Sequence, residues 1–386
     1  VLAFASAPVL IDPMGERVDA KAGGNPLTFA FNGFAIFEDP LKADASHSYL
    51  ATEGLGIKVK ILTGDSMLVA RYVANKLDKH LDEKNVEELG ARAVSEYSET
   101  QIENDRVYAR CMPEQKLELI DRHIAHGAVG FMGEGINDAL ALKRADVGIA
   151  VTNASDVARQ SADILLTEKS LNPVIRAIQL SRRAYAHIST YLVCTLTGNI
   201  GTLISLTLVA LFWTDLPMLP IQILLNNLLT DVPLILLVTD RLSKDEYSKP
   251  VDHSARDFFK TVFVFGFISS IFDIIYFYIF KDQPIEVLRT GWFVFSVCAE
   301  LALVFSLRSK LALWRAPRLS RILGIALSLA AAAAFAFVYI PRLNSEFSLV
   351  PMGWNQVGVI FALLAAYVLA NEGYKIARRS FKSAML

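Results

Sequence analysis

Apolar and polar positions divide this chain of 386 residues into two parts of different character. From residue 1 to about residue 185, short apolar runs alternate with amphipathic stretches, and charges occur at the density of a globular protein. This alternation predicts an α/β fold with a doubly wound parallel sheet and its site along the carboxyl edge. From about residue 187 onwards the chain is dominated by apolar runs long enough to cross a membrane as helices.

The predicted elements of the first part are short. Strands are predicted at 27–37, 58–62, 107–111, 129–132, 147–151 and 164–166, and helices near 66–77, 113–125, 137–144 and 154–160. Segment 80–105 is charged and irregular, which predicts an excursion on the surface. Residues 27–169 are therefore predicted to form one α/β domain, and the helical pattern of 170–186 predicts a stalk towards the membrane.

The chain opens on Val1-Leu2-Ala3-Phe4-Ala5, which has the composition of an interior strand. Residues 8–26 are rich in Gly, Asp and Pro and predict a loop. No signal peptide precedes them. We therefore expect the sequence to be a fragment or a truncated gene product.

Six apolar stretches of membrane-spanning length are predicted in the second part. They lie near 187–212, 216–238, 258–280, 290–307, 320–340 and 354–373. The uninterrupted run 327–337 is too long for a strand and too apolar for a surface helix. A buried bundle in a soluble protein is the alternative, but six such lengths exceed what one soluble core buries. We therefore predict a six-helix transmembrane domain over 187–373 and a tail over 374–386.

Lysine and arginine are unevenly distributed among the connections between these stretches. The connections after the second and fourth stretches and the C-terminal tail carry Arg241, Lys244, Lys249, Arg256, Arg308, Lys310, Arg315, Arg318, Arg321, Lys375, Arg378, Arg379 and Lys382. The intervening connections hold only Lys281, Arg289 and Arg342. The positive-inside rule therefore predicts that the α/β part and the C-terminus both lie in the cytoplasm.

Composition further restricts the class of protein to which the chain can belong. The chain is 53% hydrophobic with a mean hydropathy of +0.38, which indicates an integral membrane protein. A formal net charge of −1 argues against nucleic acid as a partner. Cys111, Cys194 and Cys298 are too few and too scattered for a disulfide framework or a zinc site.

Three strand ends in the first part carry residues suited to phosphate and metal chemistry. Gly130-Phe131-Met132-Gly133-Glu134-Gly135-Ile136-Asn137-Asp138 combines a glycine turn with two carboxylates that can share a divalent cation. A second strand ends at Thr63-Gly64-Asp65. A third ends at Arg110-Cys111-Met112-Pro113-Glu114-Gln115-Lys116, in which the lysine lies on the first turn of a helix. An ordinary capped strand-to-helix turn is the alternative interpretation of the glycine segment taken alone. For Lys116 and Arg110 taken singly, the alternative is a solvated surface charge.

Taken in chain order, first 63–65, then 110–116 and then 130–138, these three segments resemble the phosphorylation domain of the P-type cation-transporting ATPases, which has a haloacid-dehalogenase-like fold. The segments 265–274 and 290–294 are similar to the bacterial magnesium-transporting subgroup. The resemblance covers nearly the whole chain but only the C-terminal half of such a pump, so residues 1–26 correspond to the end of the nucleotide-binding domain. The nucleophile motif of the family, Asp-Lys-Thr-Gly-Thr, is not present in the sequence.

The resemblance implies ATP and Mg²⁺ as cofactors and assigns a role to each site residue. Lys116 would neutralise the phosphoryl group, Thr63 and Gly64 would bind it, and Asp65 and Arg110 would face the nucleotide. The metal would be held at Glu134 and Asp138, with Gly135 and Asn137 completing that edge. Glu134 stands where the family has Asp, which moves the carboxylate by about 1.5 Å in a metal shell that demands near-ideal geometry.

Polar residues within the apolar stretches predict an ion path, because ionisable groups at membrane depth are costly. Asn199 and Thr202 share one face of the first stretch, and Asn227, Thr230 and Asp231 share one face of the second. Pro233 frees carbonyl groups beside them. Glu300 lies midway along the fourth stretch, and Asp273 in the third is a further candidate ligand that lies nearer a helix end. For Asn199 and Thr202, helix packing is an equally good interpretation.

We therefore expect the C-terminal portion of an ATP-driven pump for Mg²⁺ or another divalent cation. By resemblance it lies in a bacterial inner membrane, with the lipid bilayer and the missing N-terminal half of the pump as partners. The alternative is a catalytically inactive relic that acts as a membrane scaffold or regulator, which Glu134 and the missing nucleophile favour. A membrane-tethered phosphatase would need an Asp-x-Asp strand that the sequence lacks.

Overall fold

The structure is a computed structural model that describes most of the chain. The described residues are 2–6, 30–35, 41–78, 86–90, 92–168, 170–212, 216–243, 246–248, 254–309 and 311–384. The predicted loop 8–26 lies outside them. The chain forms two compact units, the first of residues 1–50 and 60–171 and the second of residues 51–59 and 172–386.

The described strands of the first unit form three small sheets. β1 (Leu2–Ser6) and β2 (Ala30–Ala35) pair antiparallel. β3 (Ile61–Leu62), β4 (Val86–Glu88) and β5 (Val107–Ala109) form a parallel sheet in the order β3-β5-β4. β6 (Gly130–Gly133), β7 (Val147–Ala150) and β8 (Ile164–Leu165) form a second parallel sheet in that order. The described residues thus build two three-stranded parallel sheets where the sequence predicted one continuous sheet.

Helices follow these strands and are bounded by local capping signals. The unit contains α2 (Met67–Leu77), α3 (Glu99–Asn104), α4 (Pro113–Ile124), α5 (Ala139–Arg144) and α6 (Asp156–Ser161), and α1 (Ala45–Gly54) precedes them. Pro113 occupies the first turn of α4, where its missing N–H costs nothing. Ser155 caps α6 by accepting from the Ala158 N–H.

Segment 80–105 differs from its prediction, because its described residues contain β4 and α3. The side chains of Leu89, Val94 and Ile102 are at most 1% exposed and pack in one cluster with Tyr108 and Leu119. Ser98 and Gln101 form a capping box that starts α3. Widely spaced apolar residues among many charges therefore hold this segment in the fold, a pattern that periodicity alone does not reveal.

The second unit is helical, and the six helices of membrane-spanning length that the sequence predicts are confirmed among the described residues. Its long helices are α7 (Asn172–Phe212), α8 (Pro220–Ile235), α9 (Ala255–Phe280), α10 (Ile285–Leu307), α11 (Arg321–Tyr339) and, after the short α12 (Pro341–Glu346), α13 (Trp354–Ala384). Six helices within the described ranges are long and apolar enough to cross a membrane. α10 is the most enclosed of these helices. In its most apolar stretch 72% of the residues are buried, against 28–39% in the other five.

Shortly after Pro233, α8 changes from an α-helix to a 3₁₀-helix. The helix ends at Ile235 and continues as a 3₁₀ turn over Leu236–Thr239, up to Asp240. The Asp240 carboxylate is buried, where it accepts from Arg308 Nε at 2.8 Å and from the Ser320 N–H at 3.0 Å. The tightened end of α8 is thereby fixed to the ends of α10 and α11, as expected where a proline removes a helix hydrogen bond.

Candidate functional site

The end of β3 forms a closed turn around Thr63 and Asp65. The Thr63 hydroxyl donates to Asp65 Oδ2 at 2.8 Å and accepts from the Asp65 N–H at 3.1 Å. The Thr63 carbonyl accepts from the Cys111 N–H, and the Asp65 carbonyl accepts from the Arg110 N–H, both at 2.8 Å. Gly64 lies exposed between them. The ends of β3 and β5 are therefore held side by side, and the polar groups of both face one edge.

Arg110 has an unusual backbone conformation for a non-glycine residue. Its φ is +50°, in the left-handed region that costs a residue with a Cβ of the order of 1 kcal/mol. Its guanidinium is exposed and lies 3.0 Å from Glu88 Oε1. The hydrogen bond to Asp65 and this ion pair hold the strained conformation at the carboxyl end of β5. Backbone strain of this kind is frequent in functional sites.

An ion pair between Lys116 and Asp138 connects the helix after β5 to the turn after β6. Lys116 Nζ lies 2.8 Å from Asp138 Oδ1, and both side chains are mostly buried. Asp138 Oδ2 accepts from the N–H groups of Gly135 at 3.1 Å and Glu134 at 3.3 Å. Burial raises the pKa of Asp138, but the hydrogen bonds from Lys116 and the two N–H groups outweigh it and hold the pKa below its ordinary value. Asp138 is therefore ionised at neutral pH.

The turn after β6 depends on a glycine next to this carboxylate. A Cβ on Gly133 would lie 2.7 Å from Asp138 Cβ, which is closer than real side chains come. Glu134 and Asn137 are exposed beside it, and the Glu134 carbonyl accepts from the Ser155 N–H at 2.9 Å. The turn thus brings Glu134, Gly135, Asn137 and Asp138 together, with two oxygen-bearing side chains open to solvent.

The turn after β6 carries oxygen donors of the kind that Mg²⁺ takes from proteins. Mg²⁺ takes one or two carboxylates from the protein and fills its shell with water and phosphate oxygens. The exposed Glu134 carboxylate and the Asn137 amide supply oxygen donors, whereas Asp138 is already engaged with Lys116. Within the described ranges, no group of three or more His, Cys, Asp or Glu side chains is arranged as a complete metal cage.

The predicted ion-path residues of the second unit separate into two groups. Thr230 and Glu300 come together, because the Glu300 carboxylate is within hydrogen-bonding reach of Thr230 and of Asn226. A Cβ on Gly198 would lie 2.8 Å from Glu300 Oε1, so α7 passes directly beside that carboxylate. Asn199, Asn227 and Asp231 are instead exposed on the surface of the unit, and Thr202 is half-buried.

Sequence reasoning missed one residue of this interior, Asn226, and named the other, Asp273, as a further candidate ligand. Asn226 is 3% exposed and faces Glu300, although only its neighbour Asn227 was singled out. Its spacing of four residues from Thr230 is the signal that could have found it. Asp273 is also buried, where it accepts from Ser205 and Trp292. Asp273 and Trp292 belong to the two segments, 265–274 and 290–294, that carried the resemblance to the magnesium-transporting subgroup.

Comparison with known proteins bears directly on these observations. Residues 215–377 match the family described as "Cation transporting ATPase, C-terminus". The chain is 34% identical over 290 residues to the magnesium-transporting ATPase, P-type 1, of Escherichia coli K12, an alignment of 72% of the chain and 32% of the relative. These matches identify a C-terminal region of a P-type cation-transporting ATPase, of the magnesium-transporting subgroup.

The similarity extends into both units. A magnesium-transporting ATPase, P-type 1, of Salmonella typhimurium LT2 is 31% identical over 374 residues, which cover 92% of the chain and 40% of the relative. A protein of Methanocaldococcus jannaschii named as a cation-transporting ATPase is 30% identical over 302 residues, or 76% of the chain and 37% of the relative. The P-type ATPase region described here thus spans 32–40% of the length of these relatives.

Proposed function

We propose that this region belongs to an ATP-driven pump for Mg²⁺ or another divalent cation. The observation that carries the proposal is the intramembrane carboxylate Glu300, which meets Asn226 and Thr230 inside a helical unit related to magnesium-transporting ATPases. Carboxylate, amide and hydroxyl oxygens are hard ligands that suit Mg²⁺ or Ca²⁺ rather than soft metals. Asp231, Asn227 and Asn199 on the exposed face would contribute to the same path, together with Thr202.

The first unit would act as the phosphorylation domain, with a haloacid-dehalogenase-like arrangement over 27–169. In this proposal Lys116 and Thr63, beside Gly64, bind the transferred phosphoryl group, because positive charge and a hydroxyl donor offset the charge that develops on it. Asp65 and Arg110 face ATP. Glu134 and Asn137 would hold Mg²⁺, whose charge neutralises phosphate oxygens, and Asp138 with Gly135 positions the lysine and the turn.

The proposal places this unit and the C-terminus in the cytoplasm of a bacterial cell, with the helices in the inner membrane. The excess of Lys and Arg on alternate connections supports this orientation. Residues 170–186, which include the start of α7 at Asn172, would serve as the stalk ahead of the membrane domain 187–373. The transported cation and the lipid bilayer are then the partners, and nucleic acid is not among them.

The acceptor aspartate is the part that the sequence does not supply. No Asp-Lys-Thr-Gly-Thr segment occurs in the 386 residues. We therefore infer that the nucleophile is contributed by an N-terminal half of the pump and that this chain alone does not form a phosphoenzyme. The second candidate function is an inactive relic that acts as a membrane scaffold or regulator. Glu134 favours it, since the longer side chain displaces a carboxylate from its place in the family.

Labelling with ATP carrying a radioactive γ-phosphate tests the proposal. The chain alone should take up no acid-stable, hydroxylamine-sensitive phosphate. The same chain joined to the N-terminal half of the Escherichia coli relative should take up such phosphate, and Lys116→Ala should lower it strongly because the phosphoryl group loses its cation. The matched control is Lys143→Ala, which removes an exposed lysine on α5 and should leave labelling unchanged.

Two outcomes would contradict this account. Stoichiometric labelling of the chain alone would mean that a carboxylate within it acts as the nucleophile. A folded joined protein that takes up no phosphate, even with Glu134→Asp, would favour the relic.

A further inference from the structure

Residues 347–353, which connect α12 to α13, contain no helix or strand but are packed into the second unit. The side chains of Leu349 and Met352 are buried in its core. A Cβ on Gly291 of α10 would lie 3.3 Å from Met352 Sδ, so the connection approaches α10 closely. We refer to residues 347–353 as the cap, because they lie where α8, α10 and α13 begin and α11 ends.

Two helices hold the later part of the cap through one side chain each. The Val350 N–H donates to Thr290 Oγ1 of α10 at 2.9 Å. The Tyr339 hydroxyl, at the end of α11, donates to the Met352 carbonyl at 3.0 Å. The backbone of the cap is therefore fixed by individual side chains and not by pairing in a sheet or a helix.

Gln222 of α8 forms the third connection and uses its whole amide group. Nε2 donates to the carbonyl groups of Phe347 and Ser348, both at 3.1 Å. Oε1 accepts from the Leu219 N–H at 3.0 Å. Because an amide nitrogen has two hydrogens, both donors of this fully buried side chain are used. We refer to the two bonds from Nε2 as the Gln222 latch.

The latch holds a strained stretch of backbone. Ser348 has a φ of +52°, in the left-handed region that is unfavourable for a residue with a Cβ. The Ser348 N–H is 3.4 Å from the Ser345 carbonyl, and the Phe347 N–H is 3.4 Å from the Leu343 carbonyl, which are long hydrogen bonds. Strain of this kind persists only where the surroundings impose it, and it is frequent in segments that switch between two arrangements.

Gln222 also lies at the end of a buried polar face on α8. Gln222, Asn226 and Thr230 follow one another at intervals of four residues, and each is at most 3% exposed. Asn226 and Thr230 meet Glu300 in the interior of the unit. Four residues of helix correspond to a rise of about 6 Å, so the latch lies about one turn from Asn226. The cap therefore covers the end of the face that leads to Glu300.

We propose that the cap is an outer gate for the transported cation and that the Gln222 latch keeps this gate closed. When the latch breaks, residues 347–353 move off the start of α8 and open its polar face to the solution. The capped side is the one whose connections carry few Lys and Arg, which is the outer side under the positive-inside rule. This inference rests on the proposed function, because it assumes that the polar face belongs to the ion path.

The first test measures how fast a water-soluble reagent reaches the polar face in this chain in lipid nanodiscs. Cys111, Cys194 and Cys298 are replaced by Ala. Asn226→Cys then supplies the single thiol, and a membrane-impermeant trimethylammonium methanethiosulfonate is the probe. Gln222→Met keeps the length of the side chain and removes both donors. Modification should become about tenfold faster, which corresponds to about 1.4 kcal/mol and to the net stability of one or two hydrogen bonds.

Further variants separate opening of the gate from a general loss of structure. Gln222→Glu has the shape of glutamine but cannot donate as a carboxylate, and it should give the same acceleration. Gln283→Met makes the matched change in the exposed connection after α9 and should leave the rate unchanged. Ser306→Cys, buried near the other end of α10, replaces the reporter in a parallel set and should not react faster. Melting temperature reports the fold of each variant.

The second test asks whether the cap has to move during turnover of the joined pump. In a cysteine-free background, Gln222→Cys and Ser348→Cys are linked by a short bis-methanethiosulfonate reagent, which a reductant removes. Linking should lower ATP hydrolysis at least tenfold, and reduction should restore it, whereas phosphate labelling should persist. The control links Gln283→Cys to Gln356→Cys, whose native side chains are 3.0 Å apart, and should leave hydrolysis unchanged.

Equal modification rates in the unaltered chain and in both Gln222 variants would overturn the inference. An equal acceleration at Ser306 would do so as well, because it would show a general loosening of the bundle. Full hydrolysis by the pump linked between 222 and 348 would show that the cap does not have to move. The pump assignment is judged separately. A joined protein that takes up no phosphate refutes that assignment, whereas the modification rates of the chain alone still decide whether the cap opens.

Discussion

Asp138 and Asp273 are both buried aspartates, and the two units of the molecule treat them in opposite ways. Asp138 in the first unit has a cationic partner, Lys116, at 2.8 Å and two backbone donors. Among the described residues, the side chains that donate to Asp273 in the second unit are the neutral ones of Ser205 and Trp292. A charge balanced by the chain itself organises a fixed site. A charge that the described side chains leave unbalanced suits a site through which a cation passes.

For the first unit, this contrast predicts that the fold is destabilised when Asp138 loses its cationic partner. Lys116→Met leaves the Asp138 carboxylate mostly buried without its cation, and an unsatisfied buried charge is strongly unfavourable. We expect the free energy of local opening of residues 113–144 to fall by about 2 kcal/mol. Hydrogen exchange of the α4 and α5 amides in the full chain measures it, with Lys143→Met as the control on exposed α5 surface. An unchanged free energy of opening would contradict the claim that Lys116 balances the buried charge of Asp138.

The same pair gives a pH dependence whose sign follows from Asp138. Its pKa is lowered in the folded protein, so the pair stabilises the fold at pH values above the ordinary pKa of about 3.8. That stabilisation is lost as the pH falls through the lowered pKa. The difference in opening energy between the unaltered chain and Lys116→Met should therefore be full at pH 7 and shrink below about pH 3.8. A difference that grows on acidification would contradict the assigned sign.

A smaller effect is expected at Glu134, because its carboxylate is exposed and no ion pair holds it among the described residues. In the joined pump, Glu134→Asp should raise the rate of phosphoryl transfer or lower the Mg²⁺ concentration required, by re-centring the carboxylate. The change should be severalfold. Glu134→Gln is the matched control and should slow the reaction by removing the charge. A slower Asp variant would show that the turn after β6 has adapted to glutamate.

Sequence periodicity predicted most elements of both units to within a few residues. The strand predicted at 129–132 is β6 over Gly130–Gly133, and the stretch predicted at 258–280 lies within α9 over Ala255–Phe280. Such patterns are local, so the sequence contains them. β4 and α3 were not predicted, because the few buried side chains that hold them, such as Leu89 and Ile102, stand among charges.

The sites were less predictable than the elements. The contact of Lys116 with Asp138 agrees with the spacing of two strand ends, whereas the pairing of Asp273 with Trp292 depends on how helices turn against one another. The same rotation buries Asn226 and exposes Asn227. Helical spacing defines which residues share a face, but packing decides which face is turned inward. No single-helix pattern contains that choice.

The central claim is that the acids of the second unit serve a transported divalent cation. Its most direct test is ATP hydrolysis by the joined pump with Glu300→Gln, measured against Mg²⁺, Ca²⁺, Mn²⁺ and K⁺. The substitution keeps the shape of the side chain and removes its charge, and Asp257→Asn near the start of α9 is the control. We predict that stimulation by divalent cations disappears in the Glu300 variant while the protein stays folded and the control stays active. Undiminished stimulation by a divalent cation in that variant would contradict the claim.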